Sequence, residues 1–266
     1  MVVLDENKIR AGIPSLRGFV EELIRLVRGR LDSPIRHSDG DHLGFMSLAF
    51  VSKQVEHLVS IKLLIENGRG ADARLIARSM MEGMCQLLWA AHNSSSRPLI
   101  WREYTYVEDF RLMAEQETSG EQIDGKRRES IEQFLSSHGD QFLTKAARRA
   151  RSEGRPLPPD PYCHQWHRRP IREMFNEVRG ELLYERLYRQ MSGWGHWSPW
   201  ALGQVIRRVD NRVHYSTDSP RFAATALAVG FQSLLQCVEL LNRHLSLDMG
   251  AELDGLKGRY IDWSES

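Results

Sequence analysis

The feature that most constrains this chain is the spacing of its apolar residues, which return at three- and four-residue steps along most of its length. That period belongs to an amphipathic α-helix, whereas a half-buried strand needs a period of two. Leu16, Phe19, Val20, Leu23, Leu26 and Val27 define a first helix, which Pro14 is expected to open. His37 to His42 form a polar turn, and a second helix follows over about 43–66, stopped by Asn67-Gly68. A third runs over about 71–92 and ends in Asn93-Ser94-Ser95-Ser96. Pro98 opens a fourth, which carries Trp101, Tyr104, Tyr106 and Phe110.

The middle of the chain differs. From Glu115 to Gly154 it is strongly charged, with short helices expected near 131–135 and 142–150. Pro156, Pro158, Pro159, Pro161 and Pro170 then forbid regular structure over 155–170. Helical spacing resumes at Ile171, with a boundary near Gly180 and a helix to about Ser192 that Gly193 and Gly195 interrupt. Val205 to Ser216 alternates weakly, as a short hairpin or an ordered loop. Ser219 as a cap and Pro220 at the first helical position open a last long helix to about Leu245. No internal repeat and no βαβ unit is present. At roughly 100–200 residues per domain, 266 residues make one large domain or two small ones. The pattern predicts an all-α single domain over 1–266, a helical bundle with its core in about 14–114 and 171–247. The charged region 115–154 is expected at the periphery and 155–170 as an irregular loop.

Charge excludes some functions. With 36 Lys plus Arg against 35 Asp plus Glu, the formal net charge is +1, which argues against a strongly basic nucleic-acid binder or a polybasic membrane protein. Cys85, Cys163 and Cys237 are odd in number and far apart, which suits a reducing cytosol rather than a disulfide framework. The first ten residues build no apolar core of the kind export needs. The most apolar stretch, Ala223 to Leu241, contains Gln232, Gln236 and Glu239 and reads as a packed helix rather than a membrane span. A bacterial cytoplasm is the expected location.

Two constellations carry chemistry. On the third helix Ala73, Ile76, Met80, Met84, Leu87 and Ala91 share one face, while Arg78 and Glu82 share another with Leu75, Cys85 and Trp89. A helix apolar on both sides is central, so this ion pair is expected to be at least partly buried. It either fixes packing, or forms a polar site in which Arg78 binds an anion and Glu82 orients it or handles a proton. The second constellation is 188–200. Tyr188, Ser192 and His196 stand four residues apart, and Trp194, Trp197 and Trp200 are spaced by three. His196 is the best single candidate for acid–base work, because its unperturbed pKa lies near neutrality. A satisfied core histidine is the competing reading.

These residues carry a resemblance. Asn67-Gly68, Ala71, Ala73, Leu75 and Arg78-Ser79-Met80-Met81-Glu82, followed by Tyr188, Ser192 and His196, look like an uncharacterised, mostly bacterial helical family known only as a domain of unknown function (DUF5677). The resemblance spans about 45–200. It implies that Arg78, Glu82 and His196 form one spatial cluster, with His57 as a further polar position. A weaker similarity is to the HEPN class of small helical ribonucleases and toxins, whose signature is Arg, four to six residues, then His. Arg189 and His196 fit with six between, and Gln190 departs from the small polar residue usual after the Arg. That similarity implies metal-independent cleavage, His196 activating a ribose hydroxyl and Arg189 neutralising phosphate. Chance produces such pairs in a chain this rich in Arg; Arg30–His37, Arg36–His42 and Arg208–His214 also qualify.

Metal readings are weaker. His37, Asp39, Asp41 and His42 suit a helix-capping turn better than a metal motif, and Cys163, His164 and His167 lack a fourth ligand. No metal and no cofactor are expected. The expected catalytic residues are Arg78, Glu82, His196 and Arg189. The expected ligand-binding residues are His57, Tyr188, Ser192, Trp194 and Trp197. The expected activity is on RNA or a nucleotide in a stress or phage-defence setting, and the alternative is a non-enzymatic interaction protein whose cluster is structural. A homodimer or another protein partner is expected, and no membrane.

Overall fold

The computed structural model describes residues 6–215 and 219–266, and their regular structure is helical apart from one two-stranded hairpin. Helix α1 spans Glu6–Leu31, so Pro14 lies inside it and does not open it. The turns ahead of Pro14 are largely solvent-exposed and have no buried stripe for apolar spacing to report. Helix α2, His42–Glu66, begins at Asp41, whose carboxylate accepts the Gly44 N–H at 2.9 Å. It ends as the sequence predicts: Gly68 takes φ 69° and the Arg69 N–H closes back on the Leu64 carbonyl at 2.8 Å. Helix α3, Gly70–Ala91, follows at once, and Ser79 is its one exposed residue.

The described residues divide into two compact units, one within 1–92 and 171–266, the other 93–170. The second unit contains α4 (Arg97–Glu103), α5 (Thr105–Thr118), α6 (Gly125–His138) and α7 (Lys145–Ser152). The expected fourth helix therefore breaks at Tyr104. Tyr104, Val107, Met113, Ile131, Leu135, Phe142, Leu143, Ala147 and Tyr162 make a separate apolar core. Residues 93–114 belong with this unit, not with the core expected over 14–114. The charged stretch supplies much of the second core, because its few apolar residues recur on inner faces. Arg111 holds the proline-rich segment down, donating to Asp160 at 3.0 Å, to the Tyr104 hydroxyl at 2.9 Å and to the Cys163 carbonyl at 3.0 Å.

In the first unit, α8 (Ile171–Glu177) is followed by α9 (Glu181–Leu183), which runs through a π turn at Tyr184–Tyr188 into α10 (Arg189–Gly195). The helix thus passes Gly193, expected to interrupt it. A Cβ there would lie 3.0 Å from the Ser198 Oγ, so a larger residue would have to displace that hydroxyl slightly. Helix α11 (Pro199–Leu202) leads to strands β1 (Ile206–Val209) and β2 (Arg212–Tyr215), paired antiparallel with Ile206 opposite Tyr215. Asp210 and Asn211 both take positive φ, as a tight two-residue hairpin requires. Ser216, the expected end of this segment, lies outside the described residues.

Helix α12, Pro220–Leu245, packs against α1, α2 and α3. Ser219 occupies its N-cap position but makes no side-chain capping bond, contrary to expectation. This helix is long and apolar enough to cross a membrane by length and composition, yet 61% of its most apolar window is buried. Gly230 explains the close approach: a Cβ there would stand 2.7 Å from Leu58 Cδ1 and 3.1 Å from Ile61 Cδ1. Helix α13, Gly250–Glu265, lies beyond the expected core limit of 247 and buries Leu253, Leu256 and Tyr260. Its spacing of three and four was a legible signal that two glycines and many charges obscured.

Candidate functional site

Arg78 and Glu82 stand one turn apart on α3, with 26% and 30% of their side chains exposed. Both reach toward the helix that carries the π turn. Arg78 Nε donates to the Ser192 Oγ at 2.7 Å, and its Nη2 donates to the Tyr188 hydroxyl at 2.9 Å. Tyr188 in turn donates to Glu82 Oε2 at 3.1 Å, while the ion pair itself is longer, at 3.6 Å. The guanidinium also lies 4.9 Å from the centre of the Tyr188 ring. The phenol is thus both bridge and floor of the cluster. Its pKa is raised, first by burial and then by the Glu82 charge, so it stays a neutral donor. Burial and the same carboxylate push the Cys85 thiol up to about 12.

Local packing sets this geometry. Trp89 Nε1 donates to Glu177 Oε2 at 2.8 Å, tying α8 to α3 just ahead of the π turn. Phe175, Tyr184 and Tyr188 then form a ring cluster, with Tyr184 and Tyr188 stacked at 5.3 Å. The π turn puts Tyr188 at the end of this cluster and Ser192 one turn on, both facing α3. Wide turns of this kind occur frequently at functional sites.

The structure brings Arg78, Glu82, Tyr188 and Ser192 together, and the other expected residues stand apart. His196 is exposed at the C-cap of α10, where its backbone N–H donates to the Ser192 carbonyl, and its imidazole does not join the hydrogen-bond network. The helix passes Gly193 and ends at Gly195, which leaves His196 at its cap. Arg189 is exposed and donates to Glu185 at 2.6 Å, which raises its pKa. Trp194 packs on a small cluster of Ala71, Val205 and Phe222. Trp197 is 77% exposed at a positive φ of 55°. His57, on α2, is half-buried and outside the cluster. Its Nε2 is buried with no protein hydrogen-bond partner, and burial, with Lys53 nearby, lowers its pKa.

Among the described residues no group of three or more His, Cys, Asp and Glu side chains is placed to hold a metal ion. Asp41 serves α2 as its cap and pairs with His244 Nε2 at 2.7 Å. Cys163 faces the Leu143 carbonyl, at 3.7 Å.

Sequence reasoning missed Arg74, the buried arginine one turn before Arg78, which is 7% exposed. The signal was the four-residue ladder of Arg74, Arg78 and Glu82 along one helix.

Residues 45–213, 63.5% of the chain, match the sequence model described as a family of unknown function (DUF5677), and the chain belongs to that family. Neither a curated protein nor a solved structure matches it.

Proposed function

We propose that this family member is a helical protein acting on RNA or a nucleotide without a metal, of the kind bacteria use in stress or phage defence. The observation that supports this reading is exposure: Arg78 holds Ser192 to α3, while Arg189, His196 and Trp197 of the same segment are exposed to solvent. Arg189 would neutralise phosphate, and His196 would take or give the proton of a 2′-hydroxyl. Trp197 would stack on a base. The Arg189–Glu185 pair is exposed and therefore cheap to exchange for phosphate. Arg78 and Glu82, assigned to catalysis from sequence, act here as positioning residues.

The test is incubation of the purified protein with RNA and nucleotide pools, followed by a search for new products. The reading expects products that His196→Ala removes while melting temperature is kept. No product and no bound nucleic acid would leave the second reading, a non-enzymatic interaction protein, including a homodimer formed through the exposed Trp197. That reading is favoured by one observation: Arg78, Tyr188 and Glu82 satisfy one another without a ligand.

A further inference from the structure

A cavity of about 770 Å³ opens beside Arg74, between the first turn of α12, the π-turn helix and α11. Its wall carries three arginines, Arg74, Arg186 and Arg221, and two amides, Gln190 and Gln204. None of its described lining residues is acidic. Arg74 is the unusual member. It is 7% exposed, and of its five donors one makes a hydrogen bond, to Gln204 Oε1, stretched to 3.5 Å. Its Nε and the Gln204 Nε2 are both buried without a partner. Its guanidinium rests on Phe222, 4.5 Å from the ring centre.

A buried guanidinium is expensive unless an anion or a full set of acceptors meets it. Here burial, and after it the like charge of Arg221, lower the Arg74 pKa to about 10, as expected of a desolvated cation with a second cation nearby. The first turn of α12, with Arg221, Phe222, Ala224 and Thr225, adds the positive end of a 26-residue helix to the same wall. Trp200 lines the cavity too, yet is 60% exposed, so a ring face is open at the rim.

We propose that this cavity binds a phosphate-bearing small molecule, its phosphate on Arg74, Arg186 and Arg221 and its planar ring on Trp200. Phosphate fits better than carboxylate because three forked donors line the one cavity, and several oxygens are needed to meet them. The volume is that of an ordinary small-molecule site. The site uses none of Arg78, Glu82, Tyr188, Ser192, Arg189 or His196, so it stands whether or not the protein acts on RNA.

The test is calorimetric titration of the full chain with inorganic phosphate, adenosine monophosphate, adenosine and acetate, at matched ionic strength. Adenosine monophosphate is expected to bind at least roughly tenfold more tightly than phosphate, and phosphate measurably, with acetate and adenosine weaker than either. Arg186→Gln with Arg221→Gln, both at exposed positions, should weaken phosphate binding by roughly tenfold or more while leaving the unliganded melting temperature in place. Trp200→Ala should erase the advantage of the nucleotide over phosphate. Absence of binding by either phosphate compound, binding that survives the double variant, or adenosine binding as well as its monophosphate would each overturn the proposal. Because the readout is binding and the variants spare His196, its failure is distinct from failure of the RNA reading.

Discussion

The Arg78 Nε meets the Ser192 Oγ at 2.7 Å, a contact across 114 residues of sequence that joins the central helix to the helix of the π turn. The same guanidinium reaches Tyr188 and, through it, Glu82. One side chain therefore sets the position of the segment that carries Arg189 and His196.

Removing that side chain should be costly. Arg78→Ala leaves the Tyr188 hydroxyl and the Ser192 Oγ short of a donor, and should destabilise by about 1–3 kcal/mol, discounted toward the lower end because the pair is a quarter exposed. Arg78→Lys keeps the charge without the fork and should recover only part of the loss. Urea unfolding of the single variants, Ser192→Ala and their double combination would give a coupling of roughly 0.5 kcal/mol or more. Strict additivity would show the contact to be inert.

His196→Ala should behave oppositely. The imidazole is exposed and outside the network, so the midpoint of thermal unfolding should stay within about 0.5 kcal/mol equivalent of the parent. Any RNA or nucleotide product formed by the parent should disappear. A loss of stability instead of activity would return His196 to a structural role.

Acid should weaken the first unit through His57. Its folded pKa lies below the ordinary value of 6.5, because burial and Lys53 disfavour the imidazolium. The neutral ring therefore contributes in full above that ordinary value, and the contribution is lost as pH falls toward the folded value. Unfolding free energy measured from about pH 7 to pH 5 should decline, and His57→Gln should flatten the decline. An unchanged slope in the variant would place the acid sensitivity elsewhere.

Gly230→Leu tests the closeness of α12 to α2. The new side chain enters where Leu58 and Ile61 already stand, and overpacking of this kind costs about 1–3 kcal/mol. Chemical denaturation should show a lower midpoint at unchanged steepness. A neutral result would mean that α12 and α2 separate readily.

Much of this architecture is legible in the chain. Helices α2, α3 and α12 are readable because each buries a stripe and is bounded by residues with a local reason to stop or start, as at Asn67-Gly68 and Pro220. Pro14 misleads because it sits within exposed turns, where no apolar stripe argues for a helix. The second core is hidden because Ile131, Leu135 and Phe142 are outnumbered by charges that cover the outside. In the site, four-residue steps pair Arg78 with Glu82 and Tyr188 with Ser192, and the need of buried polar groups for partners brings the two pairs together. His196 continues that arithmetic but not that geometry, since the helix ends at Gly195, just before it. Arg74 is hard to read in the sequence because no acidic residue stands one turn from it on either side.

The five-residue turn at Tyr184–Tyr188 makes the downstream segment a matter of phase. A π turn accommodates one residue more than an α-turn of the same rise, so it acts as a spacer of a single residue between two fixed ends. Upstream, Glu177 is moored to Trp89; downstream, Ser192 is moored to Arg78. Adding a further residue to 184–187, where the turn already holds its one extra, would rotate everything after it by about 100°. Tyr188 and Ser192 would turn away from α3 together, with every side chain of the cluster still encoded. The chain can thus lose its site without losing a single site residue, and length across those five positions matters as much as identity.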